Sequence, residues 1–149
     1  MKLVSQRDDK IVIELSNKEI ERLDQIVRAY AERAKKVDAD GVTFTNFLEK
    51  LERFNQEVED GYSLTIDDYT NDLSQRDMFE EIKNQSQNDV RPKLIAFLQK
   101  WDERFIQNTR EIDRPIIGDR EDTKKGWWFY RIPQKLTSSL KSDAEKMGI

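Results

Sequence analysis

Apolar residues recur along this chain at spacings of three and four, and this periodicity constrains its fold more than any other feature. Such spacing places apolar side chains on one face of an α-helix. The first series predicts a helix over about residues 17–36, preceded by a capping box formed by Ser16 and Glu19. A second series covers residues 44–58 and a third covers residues 92–110. Each apolar face needs a packing partner, so the sequence predicts a helical bundle.

The remaining helix boundaries are predicted from capping residues, prolines and glycines. Thr65, with Asp68 three residues later, is a second capping box, and Ser74 can begin a fresh turn after it. Proline is tolerated in the first turn of a helix, and glycine often follows the last turn. The other boundary residues are Thr43 or Thr45, Asp60-Gly61, Pro92, Pro133 and Gly148. Together these signals divide the chain into four to five helices.

Two short segments favour β-structure instead. Residues 10–15, KIVIEL, and residues 127–132, WWFYRI, are rich in side chains typical of strands. One economical arrangement pairs the two segments in a ribbon that packs on the helices. We therefore predict a mainly α fold: a small bundle of four to five helices with a short two-stranded β ribbon formed near the N- and C-termini. We expect a single domain over residues 1–149, with a long charged loop over residues 111–125.

The aromatic run GWWFYRIP at residues 126–133 has two interpretations. Burial of a large apolar side chain contributes about 1.5–3 kcal/mol, which favours a place in the core of so charged a chain. Tryptophan and arginine are also enriched at the energetic centres of interfaces. If the segment is a strand, Trp127, Phe129 and Arg131 share one face, and we predict any recognition surface there. Arg131 would need water or an acidic partner on that face.

The chain contains no cysteine and no histidine. This composition excludes disulfides, thiol nucleophiles, histidine-dependent serine triads, and metal sites built from Cys or His. The five glycines are scattered singly, so the sequence has no glycine-rich phosphate-binding loop. We predict no cofactor, no metal site and no catalytic residue, and we expect a binding protein rather than an enzyme. No apolar run approaches membrane-spanning length, and we expect a cytoplasmic location without membrane contact.

Negative charge is concentrated in the middle of the chain. The net charge of the whole sequence is −4, but residues 49–89 hold 12 acidic and 4 basic side chains, a net charge of −8. Such a block suits a basic protein partner and disfavours nucleic acid. The carboxylates predicted to contact this partner are Asp67, Asp68, Asp72, Asp77, Glu80 and Glu81.

These features favour a small soluble protein-interaction module. Its concrete form would be an inhibitor or immunity-type protein that binds a basic partner through an acidic surface. The acidic residues would steer association, and the aromatic residues would anchor the docked complex. The oligomeric state is left open.

An alternative function is suggested by the strand followed by a helix at each end of the chain. The stretches IVIELSNKEIERLDQIV and WFYRIPQKLTSSLKSDAEKMGI loosely resemble the opening of ribbon-helix-helix DNA-binding proteins. The resemblance implies a dimeric regulator whose ribbon pairs between two subunits and enters a groove of DNA. A third hypothesis is a helical enzyme that uses a carboxylate-bound divalent metal, and it rests on the acidic block alone.

Overall fold

The computed structural model describes residues 2–4, 12–33, 41–116 and 126–149, and α-helices account for most of them. The five helices in these residues are α1 (Asn17–Arg33), α2 (Phe44–Asp60), α3 (Ile66–Gln85), α4 (Arg91–Gln107) and α5 (Ser138–Met147). The predicted mainly α fold with four to five helices is confirmed. None of these helices is both long enough and apolar enough to cross a membrane.

Short antiparallel ribbons accompany the helices. Strand β1 (Lys2–Val4) pairs with β2 (Val12–Glu14), and β3 (Thr109–Glu111) pairs with β4 (Arg131–Pro133). Two-stranded structure near both termini is confirmed, but the suggested pairing of KIVIEL with WWFYRI is wrong. Each strand pairs with one nearer in sequence, because closing a shorter loop loses less entropy. The partner of β2 is therefore in the same chain, whereas the ribbon-helix-helix alternative pairs it with a second subunit.

Three helices begin at the predicted capping residues. The Glu19 backbone N–H donates to Ser16 Oγ at 3.2 Å, and the Ser16 backbone N–H donates to Glu19 Oε1 at 2.8 Å. Thr65 and Asp68 make the same reciprocal pair at the start of α3. At the start of α2, Thr43 Oγ1 accepts a backbone N–H from the first turn. Local hydrogen bonds therefore set these three starts.

Two glycines follow helix ends, as predicted. Gly61 follows α2 with a φ of 123°, and Gly148 follows α5 with a φ of 71°. Residues with a Cβ are strained at such positive φ angles, whereas glycine adopts them readily. The turn after α2 therefore depends on Gly61.

Parts of the prediction lie outside the described residues. These parts are the first two residues of KIVIEL, the predicted end of the first helix and the turn after it (residues 34–40), and residues 117–125 of the long charged loop. Within that loop, Glu111 belongs to β3 and residues 112–116 are irregular.

Three helix boundaries differ from the prediction. Helix α3 is continuous through Ser74, whose hydroxyl donates to the carbonyl four residues earlier at 3.0 Å instead of capping a new turn. Helix α4 ends at Gln107, because residues 109–111 form β3. Pro133 does not open the last helix: it ends β4, and α5 begins only at Ser138.

The aromatic run is helical before it is extended. Trp127–Tyr130 forms one 3₁₀ turn, and only Arg131–Pro133 is a strand, so the predicted strand over WWFYRI is wrong in its first part. A 3₁₀-helix has about three residues per turn, so alternate residues do not share a face. The Trp128 indole N–H donates to Asp77 at 2.9 Å, which is a long-range bond that no local pattern predicts.

The chain divides into two compact units. Unit 1 comprises residues 1–52 and 78–101, and unit 2 comprises residues 53–77 and 102–149. In unit 1 the phenylalanines of α2 find their packing partner in α3, where the Phe47 and Phe79 rings lie 5.8 Å apart. Phe79 also stacks on Phe97 at 5.5 Å. The expectation that residues 1–149 form a single domain stays a prediction.

Unit 2 has its own aromatic core. Its fully buried rings are Tyr62, Tyr69, Phe105 and Phe129, with Phe54 and Trp128 nearly so. Tyr62 and Tyr69 meet edge to face at 5.2 Å. Three residues of GWWFYRIP, namely Trp128, Phe129 and Ile132, are 6%, 2% and 0% exposed, whereas Trp127 is 38% exposed. The run is therefore mostly core, and one tryptophan remains at the surface.

Candidate functional site

All six carboxylates of the predicted partner surface lie on α3. Asp67, Asp68, Asp72 and Asp77 belong to unit 2, and Glu80 and Glu81 belong to unit 1. Both glutamates have basic partners, since Glu80 pairs with Lys83 at 2.8 Å and Glu81 pairs with Arg33 at 2.8 Å. In unit 1 the predicted acidic surface is therefore locally neutralised.

In unit 2 the first carboxylates of α3 lie at the N-terminal end of the helix. Asp68 Oδ2 accepts the Thr65 backbone N–H at 3.2 Å and the Thr65 hydroxyl at 2.7 Å. Asp67 is exposed in the same first turn. The positive end of the helix dipole stabilises both negative charges. Asp68 is thus held in place by the start of the helix.

Asp72 is a half-buried carboxylate one turn further along α3. It accepts a hydrogen bond from the Tyr62 hydroxyl at 2.6 Å. Burial raises the pKa of Asp72, while the bond from Tyr62 lowers it and the charge of Asp68 raises it further. Burial and the bond to Asp72 also raise the pKa of Tyr62. The phenol therefore stays protonated and continues to donate.

Glu57 of α2 adds a third carboxylate. Burial raises the pKa of Glu57, repulsion from Asp72 raises it further, and the guanidinium of Arg53 lowers it. Burial is the largest cause of both upward pKa shifts, and repulsion from a neighbouring carboxylate, Asp72 for Glu57 and Asp68 for Asp72, adds to each. We refer to Glu57, Asp68 and Asp72 as the acidic cluster.

The next turn of α3 carries a buried arginine. Arg76 is 3% exposed, and its Nε and NH2 groups donate to the two carboxylate oxygens of Asp102, both at 2.9 Å. The guanidinium carbon lies 4.2 Å from the ring centre of Trp128 and 5.9 Å from that of Trp127. Because two parallel hydrogen bonds fix the guanidinium plane, Arg76 gives both indoles a rigid platform.

The two tryptophans at this platform differ in exposure. The nearly buried Trp128 is held by its bond to Asp77, and a Cβ at Gly126 would overlap its indole ring. Trp127 is 38% exposed, and its ring lies 6.2 Å from that of Phe105 and 5.6 Å, edge on, from that of Trp128. Trp127 is thus a large exposed aromatic side chain whose position is set by its neighbours.

The other two candidates of the aromatic run contribute to the fold. Phe129 lies in the core of unit 2. The Arg131 guanidinium donates to the Thr109 hydroxyl at 2.7 Å, the Thr109 carbonyl at 3.1 Å and the Ile106 carbonyl at 3.3 Å. Ile106 lies in the last turn of α4, where carbonyls need donors and a positive charge is favourable, and Thr109 begins β3 directly after that turn. A hydroxyl and two carbonyl oxygens thus satisfy Arg131 where water or an acidic residue was expected.

A recognition surface in unit 2 follows from the spacing along α3. Asp68, Asp72 and Arg76 are four residues apart, so they stand on successive turns of α3, about 6 Å apart along the axis. The two aspartates are partly exposed, whereas Arg76 is buried and its guanidinium carbon lies 5.9 Å from the ring centre of the exposed Trp127. Arg76 therefore links the exposed indole to α3 one turn after Asp72. We call Glu57, Asp68, Asp72 and Trp127 the α3 surface.

Three residues of this site, Glu57, Arg76 and Asp102, are absent from the sequence-based candidates. One signal marks Arg76, because Tyr69, Leu73 and Arg76 stand at helical spacing and place the arginine on the buried face of α3. An arginine on that face needs a hydrogen-bonded partner. Nothing local identifies Asp102 as this partner, since it lies 26 residues away on α4.

Among the residues that the structure describes, no group of three or more carboxylates is placed to hold a metal ion. Comparisons with protein-family models, curated protein sequences and solved structures found no match for this chain. Its function is therefore argued from the geometry of the site.

Proposed function

We propose that this chain is a protein-interaction module whose α3 surface binds a basic segment of a protein partner. The observation that carries the proposal is the contact of the exposed Trp127 with Arg76, one helical turn after the half-buried carboxylate of Asp72. Negative charge increases the rate of encounter with a basic partner, and a fixed aromatic side chain holds the docked complex.

The acidic cluster favours a cationic partner because its carboxylates repel one another. A lysine or arginine side chain placed between Glu57 and Asp72 would remove this repulsion and stabilise both charged forms. Binding would then lower the pKa of each carboxyl group, both of which are raised in the unbound protein. Exposed charges are screened by salt over about 10 Å at 0.1 M, so the association should weaken as ionic strength rises.

Trp127 supports the proposal through its rigidity. Its neighbours Arg76, Phe105 and Trp128 already restrict the indole, so little side-chain entropy remains to be lost on binding. Tryptophan is among the residue types that dominate binding energy at interfaces, and truncating such a residue typically costs about 2 kcal/mol or more.

The more specific proposal is an inhibitor or immunity-type protein that covers the functional site of a basic toxin or enzyme. The net charge of −4 and the α3 surface support this form, because a rapid inhibitor benefits from electrostatic steering.

The proposal is tested by affinity capture from a native lysate at low and moderate ionic strength. The bait proteins are the unsubstituted chain, Trp127→Ala, Asp72→Asn and the control Leu64→Ala. Leu64 suits the control because it is 47% exposed in unit 2 but does not belong to the α3 surface.

The expected result is one basic protein that the unsubstituted chain and Leu64→Ala retain equally. Trp127→Ala should lose this protein, Asp72→Asn should retain less of it, and added salt should release it. Capture that is insensitive to salt, or that the control weakens as much as Trp127→Ala does, would contradict the proposal.

A further inference from the structure

Unit 1 contains a cleft that the α3 surface does not use. It has a volume of about 320 Å³ and lies between α1 and the connection from α3 to α4. Helix α1 supplies Arg22, Ile26 and Ala29, whose spacing places them on one face. Ser86 and Val90 line the cleft from the connection.

The walls of this cleft are mainly apolar. Leu23 and Val90 are buried and form its floor, and Ile26 and Ala29 extend the apolar wall toward solvent. The hydroxyl of Ser86 donates to the Ile82 carbonyl at 2.6 Å, so this donor is already used within the fold. An apolar concavity with a few polar groups at its edge is the usual form of a small-molecule site.

The charge at the edge of the cleft is positive. Among the described residues that line the cleft, Arg22 alone is charged, and its side chain is 46% exposed. One Arg22 nitrogen donates to Gln87 Oε1 at 2.8 Å and lies 3.9 Å from an Asp89 carboxylate oxygen. A guanidinium carries five N–H donors, so Arg22 can donate to a further carboxylate beside these contacts.

A second guanidinium strengthens this positive edge. Arg91 donates to the Ser86 carbonyl at 2.7 Å and to the Asn84 carbonyl at 3.1 Å. A second carboxylate, Glu81, accepts a hydrogen bond from the lining residue Gln85 and is paired with Arg33. Three arginines therefore stand beside the two carboxylates of Asp89 and Glu81. This charge balance favours an anionic ligand over a cationic one.

We propose that the cleft binds a small apolar monocarboxylate, with its hydrocarbon chain on Leu23, Ile26 and Val90 and its carboxylate on Arg22. At about 30 Å³ for each water-sized group, the volume accommodates about ten non-hydrogen atoms. Octanoate has this size and is the probe for the test. The inference concerns unit 1 alone and does not depend on the proposed function of unit 2.

The test is an NMR titration of the isotope-labelled full chain with octanoate, and with octylammonium as a ligand of equal length and opposite charge. The variants are Arg22→Gln, which removes the positive charge, and Ala29→Leu, which fills the cleft. Ala96→Leu is the matched control, because Ala96 is an exposed alanine on helix α4 of unit 1.

The expected result is a saturable change in the amide signals of residues 22–29 and 85–90. Octanoate should bind these residues more tightly than octylammonium does. Arg22→Gln should lower the affinity for octanoate by up to about fivefold, which is the usual contribution of an exposed ion pair. Ala29→Leu should lower the affinity for octanoate at least about tenfold, while Ala96→Leu should leave this affinity unchanged.

Four results would overturn the proposal. The first is an octanoate titration without saturation at these residues. The second is equal binding of octanoate by Ala29→Leu and the unsubstituted chain. The third is equal affinity for octanoate and octylammonium, and the fourth is no effect of Arg22→Gln. Either of the last two would remove the assignment of the carboxylate to Arg22.

Discussion

Replacing Arg76 by glutamine should destabilise unit 2 and loosen the tryptophans that it supports. Removing one partner of a buried ion pair costs about 3–5 kcal/mol, because the other charge is left buried without compensation. The Asp102 side chain is 20% exposed to solvent, so water can solvate its carboxylate in part. The lower end of this range therefore applies. The lost contact with the Trp128 ring adds about 0.5–1 kcal/mol. We therefore expect Arg76→Gln to lower the free energy of unfolding by about 3–4 kcal/mol.

Urea denaturation at pH 7 measures this loss, and near-ultraviolet circular dichroism reports the fixed geometry of Trp127 and Trp128. The control is Arg110→Gln, which removes an exposed arginine of the same unit and should change the stability by less than about 0.5 kcal/mol. In a double-mutant cycle with Asp102→Asn, the two losses should not add, because the two side chains form one pair. A loss below about 1 kcal/mol for Arg76→Gln, or strict additivity, would refute this account of the platform.

Four further substitutions test separate parts of the structure. Asp72→Asn should raise stability at pH 7. The pKa of Asp72 is raised in the folded protein above its unfolded value of about 3.8, so the folded state favours the protonated carboxyl group. The stability of the unsubstituted protein therefore falls as the pH rises from the unfolded pKa through the folded pKa. Urea denaturation at pH 3.5, where the carboxyl group is mostly protonated in both states, should show no gain in stability for Asp72→Asn. Gly61→Ala should cost about 1–3 kcal/mol in urea denaturation, because its φ of 123° strains any residue with a Cβ, whereas Gly148→Ala at 71° should cost about 1 kcal/mol. Gly126→Ala places a Cβ against the Trp128 indole and should weaken the near-ultraviolet signal and lower the melting temperature. An unchanged spectrum would contradict that packing.

Local rules predicted the parts of the fold that local chemistry determines. The capping boxes of Ser16 with Glu19 and of Thr65 with Asp68 each lie within one turn, and the structure confirms both. The same rules failed at Ser74, whose hydroxyl bonds back to its own helix and leaves α3 unbroken. A serine hydroxyl can either cap a new helix or donate to the carbonyl four residues earlier in the same helix, and the residue type alone does not tell which of the two it does.

Long-range contacts explain what the sequence could not show. The aromatic run was predicted as a strand from its composition, but its first four residues form a 3₁₀ turn and Trp128 donates to Asp77 of α3. Arg131 donates to Thr109 of β3 and to Ile106 in the last turn of α4, and no local pattern connects these segments to Arg131. The sequence predicts Asp68 and Asp72 one turn apart on one helix, and α3 has them so, but their grouping with Glu57 requires the packing of α2 against α3.

The dissociation constant of the captured partner decides whether the proposed α3 surface binds a basic protein. Isothermal titration at several salt concentrations should show weaker binding at higher salt, with a smaller salt dependence for Asp72→Asn. Trp127→Ala should weaken the complex by about thirtyfold, the equivalent of about 2 kcal/mol, while Leu64→Ala leaves it unchanged. Equal dissociation constants for all four proteins at every salt concentration would contradict the account.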